Sequence, residues 1–159
     1  MQVKETIGAG VVATSVMTAF SYALSAIAKK NFKEPLLLTL FVRRLVPKQN
    51  AFLHVCGWPL HYGLGCIWAG VYTFRAERLD RKPSLRHTLL FGCISGIVGI
   101  IIWRALFRRH PCPPQTDRRG FYQQLFVAHL LFTLSLAKTH EVFKSNRRLR
   151  GLRTVFQRS

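Results

Sequence analysis

Three histidines are the residues of this 159-residue chain most able to do chemistry. His54 and His61 lie seven residues apart in the segment HVCGWPLHYGLGCIWAG, and His129 lies in a second apolar segment, FYQQLFVAHLLFTLSLA. An imidazole can bind a metal, carry a proton near neutral pH or form hydrogen bonds as a neutral ring. Which of these roles applies depends on the elements that position each ring.

Charged and apolar residues occupy separate blocks of the sequence. The chain has 24 Lys and Arg against 6 Asp and Glu, for a net charge of +18, yet 49% of its residues are hydrophobic. Segments of about 20 apolar residues match a bilayer core about 30 Å thick. We therefore predict an all-α polytopic membrane protein, a bundle of four transmembrane helices. The predicted spans cover about residues 7–28, 51–74, 88–107 and 121–137.

Two further helices are predicted outside these spans. The first loop contains EPLLLTLFVRRLVP, which is too short to cross a bilayer and predicts a short helix on the membrane surface. Residues 138–159 form a basic tail, predicted as an amphipathic surface helix that follows the transmembrane domain of residues 1–137. Its basic side chains are predicted to bind anionic lipid headgroups: Arg147, Arg148, Arg150 and Arg153. No nucleic-acid recognition motif accompanies them, which favours lipid over nucleic acid as their partner.

The orientation in the membrane is weakly defined by charge. With four spans both termini lie on one side, and basic residues divide almost evenly between the two sides. The dense basic tail favours cytoplasmic termini. Ala26-Ile27-Ala28 also resembles a signal-peptidase site, but the apolar stretch before it is longer than is usual in signal peptides. We expect this segment to be retained as the first span.

Small residues recur at helical spacing along the predicted spans, a pattern typical of close helix packing in membranes. The positions singled out are Gly10, Thr14, Gly57, Gly65, Gly92 and Gly96. They lead to the first functional hypothesis, a non-enzymatic accessory or assembly subunit. Such a subunit would dock through these faces onto a larger membrane complex or a second copy of itself.

Depth in the bilayer separates the histidines. His61 and His129 lie near the centres of the second and fourth predicted spans, whereas His54 lies near a helix end. Three roles are compatible with the central pair: hydrogen bonding within the bundle, a polar conduction or binding site, and axial ligation of a haem. The haem alternative requires Gly57, Gly65 and Gly96 to leave room for the macrocycle.

The sequence shows no catalytic or metal-binding motif. Its four cysteines include no CxxC pair, so neither a disulfide framework nor a cysteine metal site is predicted. All six acidic residues fall in predicted loops or termini. Glu77, just after the second span, is the one acid positioned to matter. We predict no enzymatic activity and no bound cofactor, with haem as the exception considered above.

A series of residues from the second span onward resembles the YagU-like family of small bacterial inner-membrane proteins. The series is His61, Gly65, Tyr72, Glu77, Gly92, Gly96, Trp103, His110-Pro111, Pro113-Pro114 and Ala128-His129. The resemblance covers roughly residues 58–132 and implies a four-helix membrane fold in a bacterial inner membrane. It singles out five positions: His61, Glu77, Trp103, His110 and His129. The second functional hypothesis, a small-solute or proton-handling channel or transporter, is built around His61 and His129. A haem-binding electron carrier is the third.

Overall fold

Five long or medium helices make up nearly all of the chain. In the computed structural model they are α1 (Val3–Ala28), α2 (Glu34–Arg43), α3 (Gly57–Arg78), α4 (Leu85–Arg109) and α5 (Arg118–Phe156). The structure describes residues 3–46, 51–78 and 84–156, with side chains up to residue 146. These ranges contain no β-strand, which confirms the all-α prediction.

Three helices are long and apolar enough to cross a membrane within the described ranges. They are α1, α4 and the part of α5 that covers Arg118–Asn146. The prediction of four such spans is therefore confirmed in three cases. The remaining one, α3, has 22 residues, but glycine, proline, histidine and tyrosine side chains lower its hydropathy.

Helix boundaries follow local chemistry. The predicted second span begins instead with a separate 3-10 turn, Ala51–His54, which leaves the exposed His54 outside α3. Because Pro59 lies in the first turn of α3, its missing N–H removes no internal hydrogen bond.

One continuous helix replaces the predicted fourth span and separate tail helix. With 39 residues, α5 is roughly 60 Å long, about twice the thickness of a bilayer core. No glycine or proline interrupts it between residues 121 and 150, and Lys138 pairs with Glu141 where the apolar segment gives way to the basic tail. The side chains of Arg147, Arg148, Arg150 and Arg153 lie outside the described residues.

The helices pack in the order α3, α1, α5, α4. The central helices α1 and α5 contact each other most extensively, α3 packs on α1, and α4 packs on α5. Near the end of α3 that leads to Arg78, α3 also reaches α4 directly. There Tyr72 and Thr88 share a hydrogen bond of 3.3 Å, and the Trp68 and Phe91 rings are in contact.

Helix α2 fills the gap between α3 and α4 at the opposite end. Half of its ten residues are buried, and its Phe41 ring packs against Trp103 and Phe107 of α4. Gly57 allows the close approach to α3, because a methyl group there would overlap the Pro35 carbonyl oxygen. The short helix in the first loop is thus present as predicted, and it is wedged between α3 and α4. Its position at the membrane surface stays a prediction.

The bundle has an apolar outer surface, and its largely apolar core includes a row of polar groups. Outward-facing residues of α3 form one apolar stripe at helical spacing: Leu60, Leu64, Ile67, Val71 and Phe74. By contrast, α1 turns a row of buried hydroxyls inward: Thr14, Thr18, Ser21 and Ser25. Such an arrangement suits lipid around the protein, because polar groups avoid the hydrocarbon and bond to one another. The two packing positions predicted in the first span, Gly10 and Thr14, are buried on this same face.

Candidate functional site

A cavity of about 110 Å³ lies within the bundle beneath α2. All five helices contribute to its wall. Its buried polar residues are Thr14 of α1, Glu34 of α2, His61 of α3 and His129 of α5. Within the described ranges the wall contains no Lys or Arg. Unless a histidine is protonated, the only charge that the wall can carry is therefore the negative charge of an ionised Glu34.

Glu34 is the unexpected member of this site. Its relative exposure is only 1%, although it was expected to lie in a surface loop. Ser21 Oγ donates to Glu34 Oε1 at 2.8 Å, and Gln124 Nε2 donates to the same oxygen at 2.9 Å. The expectation that no acid lies inside the bundle is therefore wrong, because α2 carries Glu34 inward between α1 and α5.

The surroundings of Glu34 favour its neutral form. Burial raises the pKa of this carboxyl, and the hydrogen bonds from Gln124 and Ser21 offset the effect only in part. Its second oxygen, Oε2, and the Oε1 atom of Gln124 have no hydrogen-bond partner among the described residues. Both atoms are acceptors, so the site lacks a donor, which a proton on the carboxyl or a bound ligand can supply.

His61 is held by α1. The single hydroxyl hydrogen of Thr18 is donated to the Thr14 carbonyl oxygen at 2.7 Å. The same hydroxyl oxygen lies 3.0 Å from His61 Nε2. Because its hydrogen is already used, the oxygen must accept a hydrogen bond from the ring. His61 then carries its hydrogen on Nε2, and in the neutral ring Nδ1 remains able to accept a proton.

His129 has the opposite tautomer. Its Nδ1 lies 2.8 Å from the carbonyl oxygen of Leu125, which can only accept, so the hydrogen is on Nδ1. Nε2 faces Gly99, where an added Cβ would lie 3.0 Å from it. In the neutral ring Nε2 is the atom that can accept a proton.

The two histidines share a cavity without bonding to each other. Both rings line it, and each uses one nitrogen for a bond to its own neighbour: Thr18 for His61 and Leu125 for His129. No hydrogen bond joins the two rings in the part of the chain that the structure describes. They thus form two separate proton-accepting groups on opposite sides of one polar space that also contains Glu34.

The other positions singled out by the sequence have different locations. Trp103 is buried and also lines the cavity. His110 donates from Nε2 to the Phe41 carbonyl oxygen at 3.0 Å and accepts from the Cys112 backbone at Nδ1, so it fastens the end of α2. Glu77 is exposed near the end of α3, away from the cavity.

All six predicted small-residue positions are used for packing inside the chain. Gly10 of α1 packs on α3, and Gly65 of α3 packs on α1. Gly57 packs on α2, and Gly92 and Gly96 of α4 pack on α5. Thr14 lies against Gly65. Because these faces are occupied within the protein, they are not open to another subunit. The accessory role stays a prediction that would require a different docking surface.

The residues present do not fit a haem between His61 and His129. The space beside the glycines that would have to accommodate the macrocycle is already occupied: beside Gly57 by α2, beside Gly65 by Thr14, and beside Gly96 by Phe126 and His129. The His129 ring also packs directly on Gly99. The described residues contain no group of three or more His, Cys, Asp or Glu arranged to hold a metal ion.

Sequence reasoning missed Glu34 as a member of the site. The available signal was the Glu34-Pro35 pair ahead of an apolar run, which marks a helix start but not its burial. Comparison with family models, curated proteins and solved structures finds no match to this chain. The resemblance to the YagU-like family stays a prediction, and the function has to be argued from the site itself.

Proposed function

We propose that this protein is a four-span membrane protein that carries protons or a small solute through the cavity shared by Glu34, His61 and His129. The observation that carries the proposal is the burial of Glu34 in the wall that contains both histidines. Ionisable groups inside a membrane bundle are costly and are typical of proton and substrate pathways. A structural role alone would be served at lower cost by an apolar residue.

The fourth span is α3. Its length of 22 residues is sufficient to cross a bilayer, and its outward stripe of apolar side chains suits lipid. His61, Tyr72 and Thr73 are buried in the bundle, and the charged residues of α3 lie at its last turn. With α3 as a span both termini lie on one side, which we propose to be the cytoplasmic side of a bacterial inner membrane.

Proton-accepting groups are distributed around the cavity rather than paired. Nδ1 of His61 and Nε2 of His129 can each take up a proton, and Glu34 can release or accept one at Oε2. Thr18 bonds to His61, and Ser21 bonds to Glu34 one turn later, so α1 places a hydroxyl beside two of these groups.

Proton flux into liposomes tests the proposal. Purified protein is reconstituted with a pH-sensitive dye inside the vesicles, and an imposed potassium diffusion potential drives proton entry. We expect acidification faster than in protein-free vesicles, with a rate that depends on external pH. Equal rates with and without protein, at every pH and with small organic solutes added, would contradict the proposal.

A further inference from the structure

The cavity wall has an apolar rim as well as a polar floor. Glu34, His61 and His129 form the floor. The rim lies where α2, α3 and α4 meet, and it consists of aliphatic side chains that remain partly exposed: Leu38, Leu64, Ile102 and Leu106. Leu64 and Ile102 are each 48% exposed. Their outer faces belong to the apolar surfaces of α3 and α4, so the cavity borders the lipid-facing side of the bundle.

The floor lacks a hydrogen-bond donor. Glu34 Oε2 is fully buried and unpartnered within the described residues, and the nearby amide of Gln124 leaves its own acceptor, Oε1, unpartnered. Because Gln124 Nε2 donates to both Ser21 Oγ and Glu34 Oε1, its Oε1 is the atom left without a partner. A ligand that complements this floor must therefore bring N–H or O–H groups and, opposite a carboxylate, positive charge.

We propose that the cavity binds an amphipathic amine, with its ammonium group on Glu34 and its apolar chain between α3 and α4 at the rim. The indole side chains of Trp68 and Trp103 also belong to this wall. An anionic ligand is disfavoured, since no Lys or Arg of the described chain lines the cavity. The aliphatic rim next to lipid accounts for the apolar part, because such a chain stays in a hydrocarbon environment.

Binding of the amine exchanges one cation for another. A free alkylamine is protonated at neutral pH, as a lysine side chain is. When its ammonium group bonds to Glu34, the carboxyl gives up its proton to water, so one ligand enters for each proton released. This step rests on the proposed function, in which Glu34 carries a proton in the resting site.

A series of ligands with one chain and three headgroups tests the inference. Octylamine, octanoate and octanol are titrated into the purified protein in detergent, and thermal unfolding and proton release into weak buffer are measured. We expect octylamine alone to raise the unfolding temperature, with release of about one proton per bound ligand. Equal shifts for all three compounds, or no shift with octylamine, would overturn the inference.

Variants locate the two halves of the ligand. Glu34→Gln should weaken octylamine binding by about tenfold or more, because it removes a charge-assisted hydrogen bond. Leu64→Trp obstructs the rim without touching Glu34 and should also weaken binding. Leu60→Trp lies one turn earlier on the same outward stripe but outside the cavity wall, so it should not. Unchanged octylamine binding in both Glu34→Gln and Leu64→Trp would overturn the inference.

The outcomes separate this inference from the proposed function. Proton flux in liposomes together with equal binding of the three compounds would support the proposed function and would contradict the amine as ligand. Selective binding of octylamine without proton release would support the amine site but would show that Glu34 carries no proton before the ligand binds. A wild-type protein that binds no octylamine decides against the inference without any variant, so misfolding of Glu34→Gln does not affect that result.

Discussion

Gln124 Nε2 lies 2.9 Å from Glu34 Oε1 and joins α5 to a helix 90 residues earlier in the chain. Ser21 Oγ of α1 donates to the same oxygen. These two bonds bring α1, α2 and α5 to a single carboxyl group at the edge of the cavity. Glu34 is thus held by the three elements whose relative positions define the site.

Substitution of Glu34 by Gln should stabilise the protein by an amount that grows with pH. Because the pKa of Glu34 is raised in the folded state, folding favours the protonated form. The wild type therefore loses stability as pH rises above about 4.3, the ordinary pKa of a glutamate, with a slope of at most about 1.4 kcal/mol per pH unit. Gln keeps the acceptor for Gln124 and has no proton to lose.

Thermal unfolding in detergent at several pH values checks this prediction. The unfolding temperature of Glu34→Gln should exceed that of the wild type by more at pH 8 than at pH 5. Glu77→Gln, at an exposed position outside the cavity, is the matched control and should show no such trend. A difference between Glu34→Gln and wild type that is constant with pH would show that Glu34 is ionised throughout.

Gly57→Ala should loosen the attachment of α2 to α3. The new methyl group would overlap the Pro35 carbonyl oxygen and Thr39, whose Oγ1 accepts the Gly57 N–H at 3.0 Å. We expect a loss of about 1–3 kcal/mol in unfolding free energy, as for overpacked sites in protein cores. Gly70→Ala meets no atom within 4 Å and should be neutral or stabilising. Equal stabilities of the two variants would contradict the wedged position of α2.

Gly99→Ala should displace the His129 ring. Its Cβ would lie 2.9 Å from Cε1 and 3.0 Å from Nε2, so the imidazole must move away from α4. Proton flux should fall at least severalfold if Nε2 takes part in transfer. Gly63→Ala, with no atom nearby, should retain wild-type flux. Unchanged flux in Gly99→Ala would remove His129 from the proposed path.

Asp117→Asn should weaken the link between the end of α1 and the start of α5. Hydrogen bonds from Lys30 and from the Gly120 backbone lower the pKa of the Asp117 carboxyl. Its contribution to stability is therefore present above the ordinary aspartate pKa of about 3.9 and is lost as pH falls through the lowered value. In thermal unfolding, the difference between wild type and variant should be larger at pH 6 than at pH 3. A difference of the same size at both pH values would contradict this assignment.

Much of the fold follows from the apolar blocks in the sequence. Blocks with almost no charge predict α1 and α4 to within four residues at each end, whereas α3 begins six residues later than predicted and α5 continues through the predicted tail helix. The positions of His61 and His129 near the centres of apolar segments predict one level for both. The position of α2 does not follow in this way. A ten-residue apolar helix suits a membrane surface as well as a protein interior, and only its contacts with Gly57 and Trp103 show that it packs between α3 and α4.

The site was predicted in part for the same reason. His61, His129 and Trp103 were identified because they lie within long apolar segments. Glu34 was assigned to a loop by its position in sequence, and its role depends on a fold-back of α2 that no local pattern encodes. The bond between Gln124 and Glu34 could not be predicted either, because the two residues are 90 positions apart in the sequence.

Proton flux through liposomes that contain wild type or Glu34→Gln, measured side by side, tests the central claim most directly. Glu77→Gln, an acid-to-amide change outside the cavity, controls for expression, insertion and loss of one carboxyl group. The proposed function predicts pH-dependent flux in wild type and in Glu77→Gln. In Glu34→Gln the flux should fall by about tenfold or more, because one buried proton-transfer group is lost. Equal flux in all three proteins would contradict the claim that Glu34 is part of the pathway.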